Sequence, residues 1–181
     1  MKTFIYPEMM VHVPLCTHKE PSNVLVASND AAQLEAEIAR HLETTSKSVA
    51  ATVDALRDEA DQSADVVLLE GPTDAASIAH VSRILKADGL VAMKHPDLDD
   101  ENGNKALMGV LANYFKIIMP YTVGNGETLL LASKEYHPTA DFILQRTDLL
   151  EGQQYYNCDI HPAAFAMPNY VRKTYLGIIK N

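Results

Sequence analysis

Short apolar runs alternate with helical stripes along most of the chain, and the sharpest of them is A-D-V-V-L-L-E-G, Ala64 to Gly71. Val66 to Leu69 are too few for a helix and are closed off by Asp65 on one side and Glu70-Gly71-Pro72 on the other. An uninterrupted β-branched and Leu run of this kind predicts a central strand buried on both faces, the kind found in parallel sheets covered by helices. Other stretches supply its neighbours. Phe4 to Leu15 places Met9, Met10 and Val13 on helical spacing, with Pro14 closing the pattern, and Val24 to Ala27 reads as the first strand. Ser28-Asn29-Asp30 is expected to cap a helix from Ala31 to Leu42 whose buried stripe is Leu34, Ile38 and Leu42.

Residues 43 to 64 carry a weaker pattern, read as a strand over Ser48 to Val53 and one or two helical turns over Asp54 to Asp61. After the organising strand, Ala75 to Leu85 reads as a helix with Ile78, Val81, Ile84 and Leu85 inward. Gly89 is its expected cap, and Leu90 to Met93 the next strand. A polar loop from Lys94 to Gly103 leads to a helix over Lys105 to Tyr114. Phe115 to Met119 and Glu127 to Ser133, joined through Gly124-Asn125-Gly126, then read as an antiparallel hairpin at the sheet edge. Thr139 to Asn181 is helical and loop-like, broken by Pro162 and Pro168. Residues 1–181 are thus expected to form one α/β domain: a Rossmann-like, methyltransferase-type fold with a mostly parallel sheet, a C-terminal antiparallel hairpin and helices on both faces.

Composition narrows the partners. A formal charge of -9 argues against nucleic acid or an anionic membrane surface, both of which need a basic face, and is compatible with a cationic substrate. No run approaches the ~20 apolar residues of a membrane span, and the start M-K-T-F-I-Y-P-E lacks a signal-peptide core. The two cysteines, Cys16 and Cys158, make neither a disulfide framework nor a metal site, so we expect a cytoplasmic protein.

In open α/β sheets ligands sit beyond the carboxyl ends of the strands, which is where Glu70 falls. It reads either as a ligand-facing acid or as a cap on the following turn. The turn after the first strand, Ser28 to Ala32, contains no glycine, which argues against tight binding of a dinucleotide there. Asp30 is a ligand contact or a simple helix cap. Lys94 and His95 end a strand, in a suitable place for a ligand or in a solvated loop. Asp97, Asp99, Asp100 and Glu101 form a surface loop or an acidic lid, and Tyr155, Tyr156 and His161 pack the C-terminal segment or bind. His12 reads as a core or capping histidine.

Four stretches taken together resemble the spermidine synthase (polyamine aminopropyltransferase) family. Y-P-E-M-M-V-H-V-P-L-C-T-H, Tyr6 to His18, followed by P-S-N-V-L-V, is similar to that family's Y-[HQ]-E-M…H-x-P-L…H-P…V-L-I segment. D-V-V-L-L-E-G resembles its D-V-I-I-x-D-S strand. M-P-Y-T-V-G-N-G-E-T-L-L-L-A-S-K, Met119 to Lys134, resembles its I-P-T-Y-P-x-G hairpin. Q-Y-Y-N-C-D-I-H-P-A-A-F-A-M-P-N-Y, Gln154 to Tyr170, is close to its Y-Y-N-x-x-I-H-x-A-A-F-x-L-P-x-[FY] ending. The order agrees, and the similarity covers nearly all of the chain, poorly between 43 and 64.

The resemblance implies transfer of an aminopropyl group from decarboxylated S-adenosylmethionine, a co-substrate, to putrescine, with no metal or other cofactor and with a possible homodimer. Glu70 matches the catalytic acid, one methylene longer, and Tyr6 a substrate-pocket tyrosine. The second substrate acid falls on Thr73 with Asp74 beside it, and the hairpin tyrosine on Thr122 with Tyr121 one place earlier. Tyr6, Tyr121 and Asp74 are thus the expected substrate-binding residues, and Asp30 and Asp54 the expected nucleoside-binding ones. The chain departs from the family at its G-G-G-D-G-G turn, here S-N-D-A-A-Q, and at Pro7. It departs again in a short interval before the organising strand and in an N-terminal β-strand domain expected to be missing. These departures leave a second expectation open: a non-catalytic homologue acting as a binding or assembly protein.

Overall fold

The computed structural model describes residues 2–181 and builds them around a six-stranded sheet of order β2-β1-β3-β4-β6-β5. Chain order is α1 (Ile5–Thr17), β1 (Asn23–Ala27), α2 (Ala32–Ile38), β2 (Thr45–Val49), α3 (Val53–Arg57), β3 (Ala64–Leu69) and α4 (Ala75–Ile84). There follow β4 (Leu85–Lys94), α5 (Glu101–Leu111), β5 (Ile117–Thr122), β6 (Thr128–Ser133), α6 (Leu144–Leu149), α7 (Ile160–Ala163) and α8 (Asn169–Thr174). β1 to β4 run parallel, and β6 is antiparallel to both β4 and β5. The mostly parallel sheet with its terminal hairpin is the expected arrangement, and every residue of β3 is buried at its centre. Gly126, at φ +93°, supplies the left-handed turn residue that the hairpin needs.

Each face of the sheet carries one core. Val26, Leu68 and Ala92 pack with α1, α2 and the C-terminal residues Tyr156 and Phe165. Leu25, Val67, Leu69, Val91 and Met93 pack on the other face with Leu56 of α3, Ile78, Val81 and Ile84 of α4 and Leu107, Met108 and Leu111 of α5. This is the period-2 alternation of strands whose two faces are both covered.

α1 is buried on nearly every side, as a helix apolar all round must be. Its polar groups are satisfied internally. The Glu8 carboxylate accepts the backbone N–H groups of Gln154, Tyr155 and Tyr156 at 2.9, 2.8 and 2.8 Å and so ties the C-terminal segment to the helix. Arg146 donates to the carbonyls of Leu15, His18 and Lys19 at the other end, a cation on the orphan acceptors of a helix C-terminus. His12 bridges His41 at 3.0 Å and Glu37 at 3.1 Å, which makes it the core histidine rather than a catalyst.

Several expected boundaries move. Pro14 lies inside α1, which runs on to Thr17; burial of the whole helix compensates the one backbone bond that the ring removes. α2 stops at Ile38 and Leu42 is 97 % exposed. Its N-cap is Ala31 without a side-chain bond, because Ser28 and Asn29 are engaged elsewhere. The edge strand β2 lies at Thr45–Val49, earlier than Ser48 to Val53 and almost wholly exposed, so its polar sequence shows no alternation. Gly89 does not end α4 but sits within β4, where the pairing with β3 shifts register between Leu85 and Leu90. α5 starts at Glu101 rather than Lys105, with Asp100 accepting the Gly103 N–H as its cap.

Leu68→Ala, in the middle of β3, is expected to cost about 2–5 kcal/mol in urea unfolding, whereas Leu42→Ala should change stability by less than about 0.5 kcal/mol. Burial also holds the imidazoles of His41, His95 and His161 down at about 3, 4 and 4. Unfolded histidine takes up its proton near pH ~6.5. Between that value and the folded values the unfolded chain binds more protons, so stability falls as pH falls. The urea midpoint at pH 5 should therefore lie below that at pH 7; an unchanged midpoint contradicts the buried, neutral state of these rings.

Candidate active site

Strand register builds the site. Ala27 pairs with Leu69 and Leu69 with Met93, so the next residues of three adjacent parallel strands, Ser28, Glu70 and Lys94, end side by side at the carboxyl edge. The Glu70 N–H continues the ladder onto the Ala27 carbonyl at 2.9 Å. Alternation puts these side chains on the face of Val26, Leu68 and Ala92, the face that α1 covers. Tyr6, in the first turn of α1, lies over them.

The Glu70 carboxylate is held by two hydroxyls. Tyr6 Oη donates to Oε1 at 2.6 Å and Ser28 Oγ to Oε2 at 2.5 Å. Such charge-assisted bonds are the shorter and stronger class. Ser28 Oγ also accepts the Asp30 N–H at 3.0 Å, which shapes the turn. Burial, and then the carboxylate that accepts its proton, push the Tyr6 phenol far above its ordinary range, so it stays a donor. The Lys94 ammonium stands over the Tyr6 ring, 5.1 Å from its centre, a cation–π distance.

Two hollows meet at Tyr6 and Lys94. One, of about 350 Å³, is lined by Tyr6, Ser28, Asp30, Gln33, Glu70 and Lys94 among others. The other, of about 220 Å³, is lined by Tyr6, Lys94, His95, Asp97, Glu127 and Thr128 among others. His95 Nδ1 lies 2.8 Å from the Pro96 carbonyl, which can only accept, so its proton is on Nδ1. Among the described residues its Nε2 is buried without a partner.

The residues expected from sequence are not all brought together. Glu70, Tyr6 and Asp30 share the larger hollow. Tyr121 is in the core: its hydroxyl donates to the Met9 carbonyl at 3.2 Å and its ring packs on Phe165 at 5.0 Å, closed to either hollow. Asp74 caps α4 by accepting the Ser77 N–H at 3.0 Å, and this bond holds its carboxyl below the usual range. It faces a separate shallow hollow with Thr73, Pro96 and Leu107. Asp54 is exposed in α3 and pairs with Arg57 at 2.9 Å. Tyr156 and His161 are buried, bonded to each other at 2.7 Å, and pack the C-terminal segment. Ser28 was legible only as a turn residue; the signal for it is its place one residue past β1, in register with Glu70.

Among the described residues no helix is long and apolar enough to cross a membrane. No known family profile matches the chain. Individual proteins do. It is 34% identical over 122 residues to a polyamine aminopropyltransferase of Helicobacter acinonychis, a match covering 64% of this chain and 46% of that protein. It is 26% identical to a polyamine aminopropyltransferase of Clostridium beijerinckii, covering 97% of this chain and 79% of that one. The latter alignment runs over 226 positions against the 181 residues here, so that relative carries stretches with no counterpart in this chain. A spermidine synthase structure in complex with the transition-state analogue AdoDATO superposes with a TM-score of 0.85 at 21% identity, covering 98% of this chain and 76% of that one. The spermidine synthase of Thermotoga maritima superposes with a TM-score of 0.77 at 22% identity, covering 98% and 75%. The chain spans about half the length of the Helicobacter relatives it matches. The chain is thus similar in sequence to polyamine aminopropyltransferases and shares its fold with spermidine synthases.

Proposed function

We propose that this chain transfers an aminopropyl group from decarboxylated S-adenosylmethionine to a primary amine, putrescine being the acceptor that the family implies. The observation that carries this reading is the Glu70 carboxylate, fixed by the Tyr6 and Ser28 hydroxyls at the mouth of three parallel strands and facing a hollow of about 350 Å³. Each carboxylate oxygen accepts one hydroxyl and keeps a lone pair free. One such lone pair takes the proton of the acceptor ammonium. The freed amine nitrogen attacks the aminopropyl carbon bonded to the sulfonium sulfur. As the N–C bond forms, the C–S bond breaks, and sulfur keeps the electron pair as neutral methylthioadenosine. Tyr6 and Ser28 hold the base still, so little reorganisation accompanies the step. Asp30 and Gln33, on the same hollow beside the turn after β1, are the side chains positioned to meet the nucleoside.

A second reading rests on a specific observation. The turn after β1 has no glycine, and its side chains are engaged within the protein: Ser28 with Glu70, and Asn29 with the Ala51 N–H at 3.2 Å. A homologue that has lost its nucleoside cradle and serves in binding or assembly would look like this.

Calorimetry with methylthioadenosine and putrescine separates the two. The catalytic reading expects the wild type to bind both. It also expects Glu70→Gln to lower the aminopropyl transfer rate by about 10²–10⁴-fold, the size of a general-base contribution. Absence of binding of either ligand to the wild type leaves the second reading alone.

A further inference from the structure

Lys94 is the feature of the cleft that amine binding does not explain. It lines both hollows, so a ligand in either one lies against it. Among the described residues its ammonium has no carboxylate within the 4.0 Å of an ion pair, and it rests over the Tyr6 ring instead. It is exposed, yet it stands in the strand row between Glu70, one residue past β3, and Leu129 of β6, its partner in the β4–β6 pairing. The charges along the cleft therefore alternate: the Glu70 and Asp30 carboxylates in one hollow, Lys94 at the junction, Asp97 and Glu127 in the other. His95, the remaining titratable group of the second hollow, is neutral there because burial holds it at about 4.

A simple diamine is positive at both ends and apolar between. It satisfies the two acidic hollows but carries nothing for Lys94, whose ammonium it has to pass. A ligand with an ammonium at each end and a carboxylate on the carbon that bears one of them matches all three. We infer that Lys94 is a specificity-determining residue and that the acceptor is a diamine carrying a carboxylate, an amino acid with a side-chain amine. This inference rests on the aminopropyl-acceptor reading above. The reacting amine meets Glu70, the carboxylate meets Lys94, and the second ammonium lies toward Asp97 and Glu127. Complementarity of this kind discriminates chiefly by rejecting ligands that leave a site charge facing its like.

The test uses putrescine and ornithine, which is the same diamine with a carboxylate on one amine-bearing carbon. Both are titrated calorimetrically into the methylthioadenosine-saturated protein. The wild type should bind ornithine about five- to tenfold more tightly than putrescine. Lys94→Arg should keep that order, and Lys94→Met should reverse it. The exposure of Lys94 makes all three proteins foldable, which thermal unfolding checks. A wild type that prefers putrescine, or a ratio unchanged in Lys94→Met, overturns the inference and leaves the acceptor reading in place. Failure of wild type and variants to bind either diamine overturns both.

Discussion

A carboxylate at the end of a strand buried on both faces has to be solvated by something, and here two hydroxyls do it. Tyr6 comes from the helix above the sheet and Ser28 from the neighbouring strand end, 64 and 42 residues away from Glu70 in sequence. The clamp exists only because β1 and β3 are in a fixed register and α1 is pinned over their ends. A one-residue slip of either strand would turn its side chains to the opposite face and separate Ser28 from Glu70. The buried sheet and the site are therefore one constraint viewed at two depths.

Pinning α1 is the work of residues remote from the cleft. Glu8 takes three backbone N–H groups of the C-terminal segment, and Arg146 takes three carbonyls at the other end of the helix. Each is a charged group with several partners, Glu8 buried and Arg146 partly so, and a buried bond left unmade costs more than a made one gains. Such contacts make the helix position, and with it the Tyr6 hydroxyl, unique rather than approximate. The stretches Tyr6 to His18 and Gln154 to Tyr170 hold each other through the Glu8 bonds.

Central strands and the hairpin were legible because burial on both faces writes an unbroken apolar run, and the Gly124-Asn125-Gly126 turn writes its own chemistry. Glu70 and Tyr6 were legible through strand position and motif together. Edges were not. β2 is polar and exposed, so its sequence has no period to read, and Leu42 lies on a loop that helical spacing alone had placed in the core. Gly89 looked like a helix cap because a register shift inside a strand uses the same residue. The motif around Tyr121 points to the pocket, whereas Met119, Tyr121 and Val123 alternate together onto the buried face. Ser28 meets Glu70 through pairing between strands, a relation that no single segment encodes, whereas Lys94 is readable as a strand-end residue and lines both hollows.

Tyr6 holds Glu70, and a double-mutant cycle of Tyr6→Phe and Glu70→Ala in urea unfolding measures that directly. A charge-assisted bond of this geometry predicts a coupling energy of about 1.5–3 kcal/mol, with the double variant losing less than the sum of the two single ones. Additive losses would mean that the two side chains do not act on each other, and the clamp described here would be absent in solution.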